Sequence, residues 1–117
     1  MSEENLNKIT IVRQGDVIII PLDSEIVRKV FGISENMLFF SKDLKVVIAG
    51  EEHNHELKGD YEACNLGEDI YAVKVNDAIL THPEHGDVKL PKGKYIIMRL
   101  FDWLRRIARF GRTRRFD

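Results

Sequence analysis

An all-β fold, a small single-domain β-barrel carrying a C-terminal helix, is predicted by three observations. Apolar stretches are short, from Val17-Ile18-Ile19-Ile20 near the start to Tyr95–Leu100 near the end. Gly, Pro, Asn and Asp separate them at intervals too tight for βαβ units. The hydrophobic period changes only at the end, where Phe101, Leu104, Ile107 and Ala108 recur at helical spacing. A chain of 117 residues has material for one core, so residues 1–117 are read as one domain.

Residues 1–8 read as a frayed arm, and Lys8–Val12 opens the first strand. Arg13-Gln14-Gly15-Asp16 is a turn whose Gly15 tolerates positive φ. Val17–Ile20 is apolar throughout, as in a strand covered on both faces, and Pro21 ends it. Ser24 is placed to cap a short helix with Ile26, Val27, Val30 and Phe31 on one face, stopped by Gly32. Met37–Phe40 and Leu44–Ala49 read as a hairpin around Ser41-Lys42-Asp43.

Turns are expected at Lys58-Gly59-Asp60, Asn65-Leu66-Gly67, Asn76-Asp77 and Pro91-Lys92-Gly93. They divide Tyr61–Cys64, Ile70–Val75, Ala78–Thr81, Val88–Leu90 and Tyr95–Leu100 into strands, for a total of about eight or nine over residues 9–100. A helix is expected over 101–110, ended by Gly111, with 111–117 as a basic tail.

No apolar run approaches the roughly 18 residues of a membrane span. The start, MSEENLNK, lacks the basic-then-apolar order of a secretory leader, so a cytoplasmic location is expected. Cys64 is the single cysteine, which excludes an intrachain disulfide and is read as packed inside a strand. The formal charge of −1 conceals an uneven spread. Residues 104–116 hold six arginines and no acid, leaving 12 basic and 18 acidic side chains in residues 1–103, a net −6.

All four histidines fall in two tight pairs, His53-Asn54-His55 and His82-Pro83-Glu84-His85. Imidazole is the commonest side-chain metal ligand, and two ligands close in sequence hold an ion at little loop-closure cost. On a strand, His53 and His55 would project to one face at about 6.5–7 Å between Cα atoms, a spacing suited to one ion. His53, His55, His82 and His85 are therefore the expected ligands of one divalent ion, whether Zn, Fe, Ni or Mn. Glu51, Glu52, Glu56 and Asp60 offer a further carboxylate ligand, and Glu84 and Asp87 could orient the rings. Histidines plus a carboxylate describe catalytic metal sites better than structural ones. Glu51, Glu52 and Glu84 are the candidate general bases if the metal supports a reaction on a small molecule.

Two resemblances follow from these residues. Gly50-Glu51-Glu52-His53-Asn54-His55, with Asp60 and Gly67 after it, resembles the first motif of the cupins. Asp60 stands where glutamate is usual, and Val47 where that motif opens with glycine. Gly86 and Pro91-Lys92-Gly93 resemble the second motif, but Tyr95, Ile96 and Ile97 stand where its histidine belongs. This resemblance implies a cupin-like β-barrel holding a metal. The second covers most of the chain: Arg13-Gln14-Gly15-Asp16-Val17, His53-x-His55, Thr81–Gly86 and Leu90-Pro91-x-Gly93-x-Tyr95 are similar to a group of small uncharacterised prokaryotic and phage proteins. That group shares the order RQGDV, GHxH, LTHxEHG and LPxGxY, and implies a grouping of residues without a reaction.

Arg105, Arg106, Arg109, Arg112, Arg114 and Arg115 interleave with Trp103, Phe110 and Phe116. This is a pattern for nucleic acid, or for another acidic partner, through phosphate contacts and stacking. In the opposing reading, the aromatic residues pack on the body and the arginines pair with its acids. A third function class is a structural or assembly protein in which the metal only staples loops. Open strand edges would also permit a homodimer.

Overall fold

A computed structural model describes residues 11–115, with side chains through Arg109. The arm expected at 1–8, the side chains of Arg112, Arg114 and Arg115, and Phe116 lie outside the described residues. Seven strands form one antiparallel sheet: β1 (Val12–Gln14), β2 (Val17–Pro21), β3 (Val47–Ile48), β4 (His55–Gly67), β5 (Ile70–Thr81), β6 (Val88–Leu90) and β7 (Gly93–Arg99). The helices are α1 (Glu25–Phe31) and α2 (Leu100–Arg115). The sheet order is β1-β2-β7-β5-β4-β3, with β6 pairing the second half of β5.

This sheet is not closed. Its path ends at β1 and β3, which do not pair with each other, so the described residues do not form the expected barrel. The segment expected to supply a further strand does not extend. Glu35–Met37 makes a single 3₁₀ turn, Phe39 is 90% exposed, and Met37–Phe40 forms no hairpin with Leu44–Ala49. The strands at the two ends of this path, β1 and β3, are only three and two residues long.

β4 and β5 are long, 13 and 12 residues, because two expected turns lie inside them. Lys58-Gly59-Asp60 and Asn76-Asp77 face each other across the hairpin. The register passes from Asp60↔Asp77 to Tyr61↔Val75, leaving Asn76 as an extra residue. Asn76 Nδ2 donates to Asp60 Oδ2 at 2.9 Å across this bulge. Turn-forming residues on both strands at one level let the pair bend without ending. Gly59 occupies the bend with φ +123°, where an added Cβ would press on Asp77 O and lie 2.9 Å from Ala78 Cα. Gly59→Ala is expected to cost about 3 kcal/mol, on the order of 10 °C in Tm, combining backbone strain with overpacking. A thermal melt unchanged within error would show that the bulge relaxes freely.

The apolar run of β2 alternates between two cores, as its lack of polar residues predicts. Val17 and Ile19 join Val46, Ile48, Leu57, Val73, Leu80 and Ile97 on one face. Ile18 and Ile20 join Val27, Ala72, Ile96, Met98 and Trp103 on the other, beneath the helices. Ser24 Oγ caps α1 by accepting from Val27 N at 3.4 Å, and Gly32 closes it in the left-handed region, both as expected. Trp103 of α2 stacks on Phe31 of α1 with centroids 6.2 Å apart. Gly111 does not stop α2, which runs through to Arg115. Cys64 is half-buried in β4 against the second core.

Candidate functional site

The β4–β5 hairpin brings the two histidine segments together. Glu56 pairs with Thr81, and extending that register by one residue sets His55 opposite His82, by three His53 opposite Glu84. Segments nearly thirty residues apart thus meet at the open mouth of one hairpin. The ring centroids are 4.4 Å apart for His55 and His82, 4.5 Å for His82 and His85, and 6.0 Å for His53 and His82. Thr81 Oγ1 donates to Glu56 O at 3.1 Å and Arg99 Nη2 to Ala49 O at 2.7 Å, securing the hairpin mouth and the loop that carries Glu52 and His53. Arg99 is held in turn by Asp69 Oδ2 at 2.8 Å.

Convergence is not equivalence. β4 starts at His55, so His53 stands in the preceding bend and the two rings do not share a strand face. His53 is exposed, whereas His55 is 1% exposed. His82 Nδ1 accepts from the backbone N–H groups of Glu84 at 3.0 Å and His85 at 3.3 Å. That lone pair is occupied, the neutral ring carries its proton on Nε2, and His82 orders the Pro83–His85 turn instead of offering a free lone pair. Among the described residues, one triad has ligand atoms all within 4.8 Å of one another: Glu52, His53 and Glu84, each exposed. Two of the three candidate general bases are therefore in the triad. Glu51 instead lines an adjoining groove with Arg13, Asp16 and His85. Asp60 lies at the bulge, bonded to Asn76, five residues along β4 from His55.

Two residues that the histidine pattern did not point to complete the site. Gln14 ends β1 and Asp16 lies in the turn that follows it. Gln14 is 2% exposed; its Nε2 donates to Leu80 O at 2.8 Å and Gly86 O at 2.9 Å, and its Oε1 meets His55 Nδ1 at 2.9 Å. Asp16 Oδ1 lies 3.1 Å from His55 Nε2. Gly15 between them has φ +60°, and a Cβ there would fall 2.5 Å from His85 Nε2, so its bare backbone makes room for that ring. The available signals were the resemblance through Arg13–Val17 and the fact that Gln14 is the only glutamine of the chain.

His55 thus has an acceptor at each nitrogen. Burial pushes its pKa below the ordinary 6.5; the Asp16 carboxylate opposes this, and the neighbouring His82 and His85 rings add to it. Because the folded pKa is depressed, the unfolded chain binds more protons near that value. Stability is then lost as pH falls through 6.5 toward the folded pKa and is level above that window. Following the His55 Cε1–H resonance against pH is expected to give a midpoint under 6.5. A midpoint above it would mean that Asp16 outweighs burial.

The predicted tail side chains lie elsewhere. Arg106 sits over the Phe31 ring at 4.5 Å and Arg105 over Phe101 at 5.6 Å. Arg105 and Arg109 are exposed beside Glu68 and Asp102. No helix among the described residues is long and apolar enough to cross a membrane.

No curated protein and no solved structure matches the chain. The family described as "Domain of unknown function (DUF8820)" matches residues 13–100, a span that takes in the Gln14–Asp16 turn and both histidine segments and stops where α2 begins. Since the match covers most of its length, the chain belongs to that family.

Proposed function

We propose that this protein binds a divalent metal ion at the mouth of the β4–β5 hairpin, with Glu52, His53 and Glu84 as its protein ligands. The observation carrying the reading is that these three side chains, drawn from two separate loops, bring ligand atoms within 4.8 Å of one another. One imidazole with two carboxylates is a mixed N/O set suited to Zn, Mn, Fe or Ni. His55 and His82 back the site rather than complete the shell, the first buried and the second committed to the backbone.

Three ligands on an open face leave positions for water, the arrangement in which a metal activates a nucleophile or polarises a carbonyl. A groove of about 540 Å³ lined by His53, Asn54, Lys58, Thr81 and Asp87 adjoins the triad and admits a small polar molecule. Isothermal titration of the untagged protein with Zn²⁺ or Mn²⁺ tests the reading. One ion per chain is expected, and no heat of binding with either metal would end it.

A second reading concerns α2, whose exposed Arg105 and Arg109 lie on a helix outside the family match. It is an anionic partner, nucleic acid foremost, bound through phosphate contacts. Single-stranded oligonucleotide binding that weakens steeply with salt would support it, and salt-independent or absent binding would remove it.

A further inference from the structure

We propose that Gln14 is the positioning residue of the hairpin mouth: its carbonyl oxygen holds His55 as the Nδ1–H tautomer, while its amide nitrogen fixes the loop that carries Glu84. The orientation of the amide is set by its partners. Leu80 O and Gly86 O can only accept, so Nε2 must face them, at 2.8 and 2.9 Å. Oε1 is then the atom 2.9 Å from His55 Nδ1, and an oxygen there requires a proton on that nitrogen. The lone pair of His55 is left on Nε2, turned to Asp16 Oδ1 at 3.1 Å and completed there by a proton or a cation.

The second arm of the amide reaches the other segment. Leu80 is two residues before His82 on β5, and Gly86 directly follows His85. Gln14 spans the Pro83–His85 turn from both sides, and Glu84 lies at its centre. A residue of β1, 2% exposed and with every polar atom partnered, thereby joins three separate stretches of chain at one point. Orienting a ring through its far nitrogen is how outer groups tune histidines in metal sites. The consequence for Glu84 rests on the metal reading above; the tautomer does not.

Two variants separate the arms. Gln14→Glu keeps an acceptor for Nδ1 but loses the donor to Leu80 O and Gly86 O; Gln14→Met loses both. In ¹⁵N-detected spectra of the full chain at pH 8 without metal, wild type is expected to show His55 protonated at Nδ1 alone, and Gln14→Glu is expected to keep the Nδ1 proton. Gln14→Met is expected to shift toward Nε2–H. A wild-type His55 protonated at Nε2 would overturn the tautomer assignment, and so would a Met variant with an unchanged spectrum. Zn²⁺ affinity is expected to fall roughly 10-fold in both variants, the scale of outer-partner losses. Unchanged affinity in both would overturn the positioning of Glu84. Should wild type bind no Zn²⁺, the metal reading and that arm fall together, while the spectra still decide the tautomer.

Discussion

Replacing His53 with alanine and Glu84 with glutamine in one protein is expected to remove measurable Zn²⁺ or Mn²⁺ binding, a loss greater than about 100-fold. Loss of an outer partner alone costs about 10–100-fold at metal sites, and this variant removes two of the three ligands themselves. Both side chains are exposed, so neither change opens a cavity, and Tm without metal is expected to stay within about 2 °C of wild type. Wild type should melt higher when metal is added, because an ion that binds the folded state adds stability in proportion to its occupancy. The double variant should lose that increment. If it retains metal at wild-type affinity, the ion lies elsewhere, with His55 Nε2 and Asp16 Oδ1, 3.1 Å apart, an alternative pair.

His82→Asn makes the complementary case. It leaves the triad untouched but alters the acceptor that orders the backbone at Glu84 and His85. Binding weakened less than in the double variant, together with a lowered Tm, is the pattern expected of a residue that shapes the turn without ligating.

The meeting of the two histidine pairs was legible, since their clustering by itself suggested a common point. Their geometry was not, for a reason that lies in four residues. Gly59, Asp60, Asn76 and Asp77 are each strong turn formers, and read locally they reduce two long strands to the three short ones Tyr61–Cys64, Ile70–Val75 and Ala78–Thr81. In the fold they face one another and produce a bulge, so β4 and β5 run unbroken from the Gly67–Asp69 turn to the hairpin mouth. His53 and Glu84 are equally far from that turn, a symmetry visible only once the false turns are removed. Local preference cannot report that two breakers lie at the same level of a ladder, because that is a property of register. The same limit hid Gln14. A polar residue next to a turn usually reads as solvated, and only the packing of β1 under the hairpin mouth buries it. Signals whose partners are near in sequence, the Ser24 cap and Gly32 stop of α1 and the two-sided burial of Val17–Ile20, came through intact.

The second large effect is expected from Trp103→Ala, at about 3–5 kcal/mol, the usual cost of truncating a buried aromatic residue to alanine. Trp103 is 3% exposed, stacks on Phe31 and closes the core that holds Ile18, Ile20, Ile96 and Met98. For a domain of this size the loss corresponds to on the order of 10–20 °C in Tm. Arg105→Glu with Arg109→Glu reverses two exposed charges on the same helix and is expected to change stability by no more than about 0.5 kcal/mol per site. The contrast separates the two readings of α2. A helix fastened through Trp103 and Ile107 still presents Arg105 and Arg109 outward, so packing and partner binding are compatible uses of opposite faces. His55 and Leu57 are buried on the side of the first core and Trp103 in the second, with the sheet between them. Metal affinity of folded Trp103→Ala should accordingly stay within about threefold of wild type, as for distant, independent sites. A melt unaffected by Trp103→Ala would show that α2 is not docked in solution. A metal affinity that fell with it would show coupling through a direct tie between helix and site, Leu100 N donating to Asp16 O at 2.7 Å.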